Sequence, residues 1–570
     1  MMLIALLAVP LLGALASLAP ADRLGFKDDE ARTWFARALG LLTSGLTLLL
    51  ALVAALLFDY GRSSHMQLGV DRTWAPAIGL RFHLGLDGVS LPLVILTALL
   101  TFLSFLYTVK HPPSVRTSRT PHRPEALPLR DADRLFTGLL LALEVGMLGT
   151  FVALDLVLFF VFFEVVLIPM YVVIALWGGP GRRAAAYKFI LYTLLGSGVL
   201  LVGLLLIAVN AGTLDMVALA ARHGAGLSNG VQVAAFLFVG LGLAVKAPMW
   251  PLHTWLPDAH TEAPTVGSVL LAGVLLKMGT YGFVRIALPM APDGARIWAP
   301  WLGFLAVIGI IYGALACLAQ RDLKRMIAYS SVGHMGFVLL GIATLTPVGV
   351  NAALFGNIAH GLITGLLFFV AGSVKERYGT GDLAELGGGM LARAPRLASF
   401  LTFAAIAGLG LPGLAGFWGE MLAMLGAYRP AAGLPRETFV TFMAFGGLGA
   451  VLTAAYFLRL LSTITHGPAT PARTDHREVS PEVFLRAPAK GSSEAPSQAP
   501  SQALPEAASQ VSPGVAPSAV CPEVSPMAGL SAYEYAAWVP LVALILVVGL
   551  WPKALLDLTT APVRALLGGG

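Results

Sequence analysis

The chain has 570 residues, 57% of them hydrophobic and only 12% charged, with a mean hydropathy of +0.79. Soluble domains carry roughly 25% charged residues, so this composition leaves too little polar surface to face water and excludes a soluble globular protein. The net charge of +6 comes from basic residues scattered between hydrophobic runs and not gathered in one patch, which excludes a nucleic-acid surface.

A membrane span needs about 20 mostly apolar residues. In chain order that length places helices near 2–19, 34–58, 86–108, 135–153, 156–177, 187–209, 231–256, 265–287, 298–319, 325–346, 350–373, 397–426, 439–464 and 533–556. The expectation is an all-α polytopic membrane protein of about fourteen spans. The first run, MMLIALLAVPLLGALASLA, lacks the positive start of a secretory signal and reads as a retained helix. Cys317 lies in an apolar run and Cys521 in a polar segment, without CxxC spacing or a nearby His cluster, so neither disulfide nor metal site is expected.

Lys and Arg in short loops set orientation. They gather after the first span (Arg23, Lys27, Arg32), the third (Lys110, Arg116, Arg119, Arg123, Arg130) and the fifth (Arg182, Arg183). They gather again after the ninth (Arg321, Lys324) and the eleventh (Lys375, Arg377, Arg393, Arg396). The loop after the second span, with Arg62, Arg72 and Arg81, is an exception in degree. Odd-numbered loops are therefore expected in the cytoplasm and both termini outside. From about Thr470 to Met527 the chain is rich in Pro, Ala, Ser and Gln, a composition too poor in apolar side chains to offset the entropy of ordering. It reads as a disordered cytoplasmic loop.

Two spans carry helix breakers in mid-run. The seventh reads LAVKAPMWPLHTW, with Pro248 and Pro251, and the twelfth reads GLGLPGLAGFWGEM, with Pro412 between glycines. A bilayer tolerates such breaks only where protein or water re-satisfies the backbone. The breaks lie five spans apart, so the units holding them would be inverted relative to each other, as in ion-coupled transporters. Simple kinks between packed helices are the alternative.

Charges also fall at membrane depth. Glu144 centres the fourth run, Glu164 the fifth, and Lys246 precedes the first break. Lys277 centres the eighth, His334 and His360 lie in the tenth and eleventh, and Glu420 follows the second break. Each charge at the bilayer centre costs about 2.5–3.5 kcal/mol, so these groups should face one another or a wetted interior. Burial draws Lys and Glu pKa values towards neutrality, which suits proton exchange. A buried Glu164–Lys246 pair can also be purely structural, and buried histidines are often satisfied donors between helices. His253 and His260 are expected near an interface and wetted. There is no GxxxxGK loop, HExxH, paired CxxC or dinucleotide fingerprint, so no nucleotide, flavin, metal or cluster is expected to bind.

Several long stretches carry a family resemblance: FFEVVLIPMYVVIALWG, KAPMWPLHTWLPDAHTEAPTVGSVLLAGVLLKMGTYG, RDLKRMIAYSSVGHMGF, NIAHGLITGLLFF and LPGLAGFWGE. From about Leu86 to Arg459 the chain resembles the antiporter-like membrane subunits of respiratory complex I. Glu420 in GFWGE points to the M-type branch, the counterpart of mitochondrial subunit 4, since the L and N branches usually have Lys there. The resemblance implies fourteen helices with two inverted five-helix repeats, each with a discontinuous helix. It implies domains at 1–133 (three spans), 134–290 and 297–465 (the repeats), 466–531 (the polar loop) and 532–570 (the last span). It also implies a proton-translocation role for Glu164 paired with Lys246, for Lys277, His334, His360 and Glu420, and a less settled one for Glu144. The implied function is a proton-translocating, non-redox subunit of NADH-quinone oxidoreductase in a bacterial plasma membrane, without direct NADH binding and with L and N as neighbours. The alternatives are a subunit of a Na⁺/H⁺ antiporter or a membrane-bound hydrogenase, or a non-conducting structural subunit.

Overall fold

The computed structural model describes residues 1–19, 29–112, 132–467 and 529–569. The segment expected to be a disordered loop, 470–527, lies outside the described residues. Among those described, 12 helices are long and apolar enough to cross a membrane. The helices Met2–Leu18 and Pro395–Gly408 are apolar but shorter. Every expected span coincides with one of these helices or with a broken pair.

The ends move for local reasons. The third helix begins at Ser90 and not at Leu86, because Asp87 Oδ1 accepts from the backbone N–H of Val89 and Ser90, each at 3.0 Å. The ninth begins at Pro292, since proline in the first turn gives up only an N–H that would be unsatisfied there anyway. Its Asp293 favours the positive helix start.

Burial separates centre from rim. Thr265–Met290 is 100% buried over its most apolar window and Pro347–Tyr378 94%, against 28% for Arg436–Ile464. The two central helices carry Lys277 and His360, so these groups sit as far from lipid as the fold allows.

The loop read as exceptional is a hairpin. Strand β1 (Gln67–Ala75) pairs antiparallel with β2 (Leu80–Leu86) through a turn that ends at Gly79, φ +70°. Two of its basic residues have acidic neighbours: Arg81 pairs with Asp71, and Arg62 lies 3.9 Å from Asp59. The hairpin marks one face of the bundle.

Two short backbone bridges repeat one another. Asp155 bridges Asp215 on the hairpin face, where Leu154 N donates to His83 O. Asp322 bridges Asp382 on the opposite face, and the partners stand at the same sequence separation in both. All four aspartates accept N–H bonds from the helix that follows.

Both expected breaks are present. Asn229–Lys246 stops at Lys246, and the chain resumes as Trp255–Glu262, with the Trp255 indole donating to Val245 O at 3.0 Å. Pro395–Gly408 and Ala415–Tyr428 are separated by a turn with Gly410 at φ +81° and Gly413 at φ +94°, a backbone that favours glycine. The last run also divides, into Ala532–Leu550 and Lys553–Leu566. The second piece lies along the hairpin face, with Thr559 donating to Asn351 at 2.7 Å.

Candidate functional site

Four of the expected groups form one file, buried except at His334, whose side chain is 17% exposed. Lys277 on Thr265–Met290 is 0% exposed, and its Nζ lies 2.6 Å from His360 Nδ1. Nζ also donates to Ala272 O, five residues back. Residues Leu271–Leu275 are wound as a π-turn just before Lys277, an irregularity common at functional sites because it redirects backbone carbonyls. The rings of His360 and His334 stand 5.8 Å apart, edge to face, and His334 Nδ1 lies 3.1 Å from Glu420 Oε1.

Between the two imidazoles and the carboxylate is a cavity of about 30 Å³, bordered by Gly356, Gly416 and Gly419. A water needs roughly 10–15 Å³, so one or two would fit. His360 Nε2 has no protein partner. Thr280 donates to Asn357 Oδ1 at 2.9 Å one turn beyond Lys277. This polar pair was not singled out from the sequence, where Thr and Asn in helices are unremarkable.

The other three expected groups stand apart. Glu144 is 0% exposed, and neither of its oxygens has a hydrogen-bond partner. Glu164 and Lys246 were expected as a direct pair. The structure places no ion pair or hydrogen bond between them among the described residues, and Lys246 Nζ has no hydrogen-bond acceptor. The ammonium lies 4.6 Å from the centre of the Phe163 ring. It also sits at a helix C-terminus, whose dipole favours a cation. The ring that faces the lysine comes from Phe163, the residue before Glu164 on Leu156–Val165.

His253 and His260 correct the expectation of wetted side chains. They are 2% and 0% exposed, His253 in the link before the second half-helix with its ring 5.1 Å from that of Tyr312, and His260 on the buried side of Trp255–Glu262. His260 stacks on Phe368 with ring centres 4.6 Å apart, and neither of its nitrogens is bonded. A polar cavity of about 560 Å³ opens on the face opposite the hairpin, lined by Lys110, His111, Glu262, Lys324, Lys375 and Glu376. Among the described residues no group of three His, Cys, Asp or Glu side chains converges to hold a metal ion.

Residues 153–446 match the family model described as NADH:quinone oxidoreductase/Mrp antiporter, transmembrane. The chain belongs to this family. NADH-quinone oxidoreductase subunit M of Rhodobacter capsulatus is 41% identical over 80% of this chain and 85% of its own length. NAD(P)H-quinone oxidoreductase chain 4 2 of Synechococcus sp. (strain JA-3-3Ab) is 40% identical over 85% and 86%. A chain of respiratory complex I from Thermus thermophilus superposes with a TM-score of 0.74 at 29% identity, over 99% of this chain and 100% of that one. A chain of the Mrp complex from Dietzia sp. DQ12-45-1b shares the fold, with a TM-score of 0.75 at 23% identity, over 99% and 97%.

Proposed function

We propose that this chain is the proton-translocating M-type membrane subunit of a bacterial NADH:quinone oxidoreductase, and that protons move along Lys277, His360, His334 and Glu420. The observation that carries the reading is this file, with contacts of 2.6 Å and 3.1 Å at its two ends and water-sized space between. No redox group is needed within the chain. Quinone reduction elsewhere in the complex supplies the energy.

Each member has a definite part. Lys277 is the donor: its ammonium gives a proton to His360 Nδ1, to which it is already hydrogen-bonded. An imidazole that accepts at one nitrogen can release at the other, so His360 passes the proton from Nε2 into the small cavity. His334 takes it up and hands it through Nδ1 to Glu420 Oε1. The break before Ala415 leaves Glu420 near a turn free to adjust as the carboxylate gains or loses charge. Lys246 and Glu164 form the first half of the same system, acting on one another through space without a direct hydrogen bond.

The paired aspartate bridges on opposite faces support two inverted repeats within fourteen spans. The clustering of Lys and Arg in odd-numbered loops supports a hairpin face turned outward, with both termini there. Neighbours of the L and N type would continue the line of buried charges.

The test is isolation of the native membrane complex carrying Lys277→Met, with NADH-driven quinone reduction and proton uptake measured together. Proton uptake per NADH should fall while the complex stays assembled. Unchanged uptake would remove Lys277 from the path.

A further inference from the structure

One buried ion pair lies outside the file. Arg285 and Asp87 are 3% and 1% exposed, and Arg285 Nη2 lies 2.5 Å from Asp87 Oδ1. Arg285 Nε donates to the Tyr281 hydroxyl at 3.1 Å, which in turn donates to Phe151 O at 3.0 Å. The guanidinium is therefore held at both ends. The same Asp87 oxygen accepts from Val89 N, Ser90 N and the Ser90 hydroxyl, the start of the Ser90–Thr108 helix. Helix-start donors already offset the carboxylate, so the cluster keeps a net positive field.

Its position is informative. Lys277, Tyr281 and Arg285 follow at intervals of four on Thr265–Met290, which brings them along one side of that helix. Eight residues rise about 12 Å. On the far side of Arg285 a cavity of about 240 Å³ opens on the hairpin face, lined by Ser64, His65, Asp87, His223 and Leu566 as well as Arg285 itself. The final helix, Lys553–Leu566, packs so closely on this turn that a Cβ on Gly88 would strike Leu558 O. Space for water on the hairpin face thus reaches to little more than two helical turns from Lys277. A buried ion pair is a poor source of stability compared with apolar packing, so packing alone does not account for one here.

We propose that Arg285, fixed by Asp87 and Tyr281, is an electrostatic seal that stops the proton held at Lys277 from escaping directly to the hairpin face, so that release is forced through Glu420. An arginine suits this task because it stays charged throughout and cannot pass a proton on. The inference rests on the reading of Lys277 as a proton carrier.

The experiment uses the whole complex reconstituted in vesicles, energised with NADH, and follows the decay of the pH gradient once NADH is exhausted. The D87N/R285Q variant keeps the shape and removes both charges, and its gradient should decay at least tenfold faster than in the parent. Adding Lys277→Met to it should restore a slow decay. R285K, which keeps a charge, should stay tight. Should D87N/R285Q fail to assemble, R285H gives the same information through its pH profile. Its imidazole faces Asp87 and Tyr281, with His65 and His223 across the cavity, and the leak above that of the parent should grow as pH rises and the ring loses its charge. A slow decay in assembled D87N/R285Q, a leak that persists with Lys277→Met, or a pH-independent leak in R285H overturns the seal. Full pumping in Lys277→Met alone overturns the underlying reading instead.

Discussion

Replacing His360 by phenylalanine keeps a ring of similar size in the centre of the bundle and removes both nitrogens. Lys277 Nζ then loses the acceptor at 2.6 Å and keeps only Ala272 O. The next ring in line, His334, is centred 5.8 Å from where the His360 ring stood. The cavity of about 30 Å³ is too small for a water file that could span the gap. A positioned proton relay is worth about 10²–10⁴ in rate, so the barrier through this subunit rises by about 2.7–5.4 kcal/mol. The cost to folding is smaller, about 1–3 kcal/mol for one lost buried hydrogen bond. The complex should therefore assemble and oxidise NADH, while the proton uptake carried by this subunit disappears. Quenching of a pH-sensitive dye in inverted vesicles, normalised to NADH oxidation, reads this directly. Uptake per NADH equal to that of the parent would refute the relay.

Three further outcomes are expected. Gly419→Ala places a Cβ 2.8 Å from Gly356 Cα. Backbone cannot yield there, so the variant should lose about 1–3 kcal/mol in thermal unfolding and pump less as Glu420 shifts from His334, whereas Gly447→Ala, facing open space, should change neither. Lys246→Arg keeps a cation over Phe163 but cannot release a proton, so assembly should survive and pumping should fall; normal pumping would show that Lys246 need not deprotonate. On the hairpin face, burial pushes the Asp215 carboxyl up, but its bond to His83 Nδ1 at 2.9 Å and to the following backbone N–H groups outweighs this and holds its pKa below the ordinary value. A depressed carboxyl contributes stability above its unfolded pKa and loses it as pH falls through the folded one. Acid should therefore loosen the contact between the hairpin and Met216–Arg222, seen as amide exchange there, and His83→Ala should move that loosening to higher pH; an unmoved profile would deny the pair any role.

Much of the fold was legible because hydrophobic length and backbone breakers act locally. Every span could be read as an apolar run, and Pro248, Pro251 and Pro412 marked both breaks. The charges in mid-run also marked the site, since an ionisable group in lipid is too costly to be incidental. What stayed hidden depends on partners distant in sequence. The joining of Lys277 to His360 and the stacking of His260 on Phe368 arise from helix packing that no local pattern encodes. Glu164 and Lys246 suggested a bonded pair by depth alone, yet the side chain of Phe163 stands before the lysine. The hairpin was hidden because Gln67–Ala75 is largely exposed, without a clean alternation of apolar and polar residues. Arg285 drew no notice near the end of its run, and only the fold brings Asp87 to it.

The central claim is that Glu420 receives the proton that leaves the file. It is tested most directly by counting protons translocated per NADH oxidised in vesicles reconstituted with the Glu420→Gln and Glu420→Asp complexes. An amide cannot exchange a proton, so Glu420→Gln should lose the transport carried by this subunit, while Glu420→Asp, a shorter acid, should keep part of it. Full transport by an assembled Glu420→Gln complex would contradict the account.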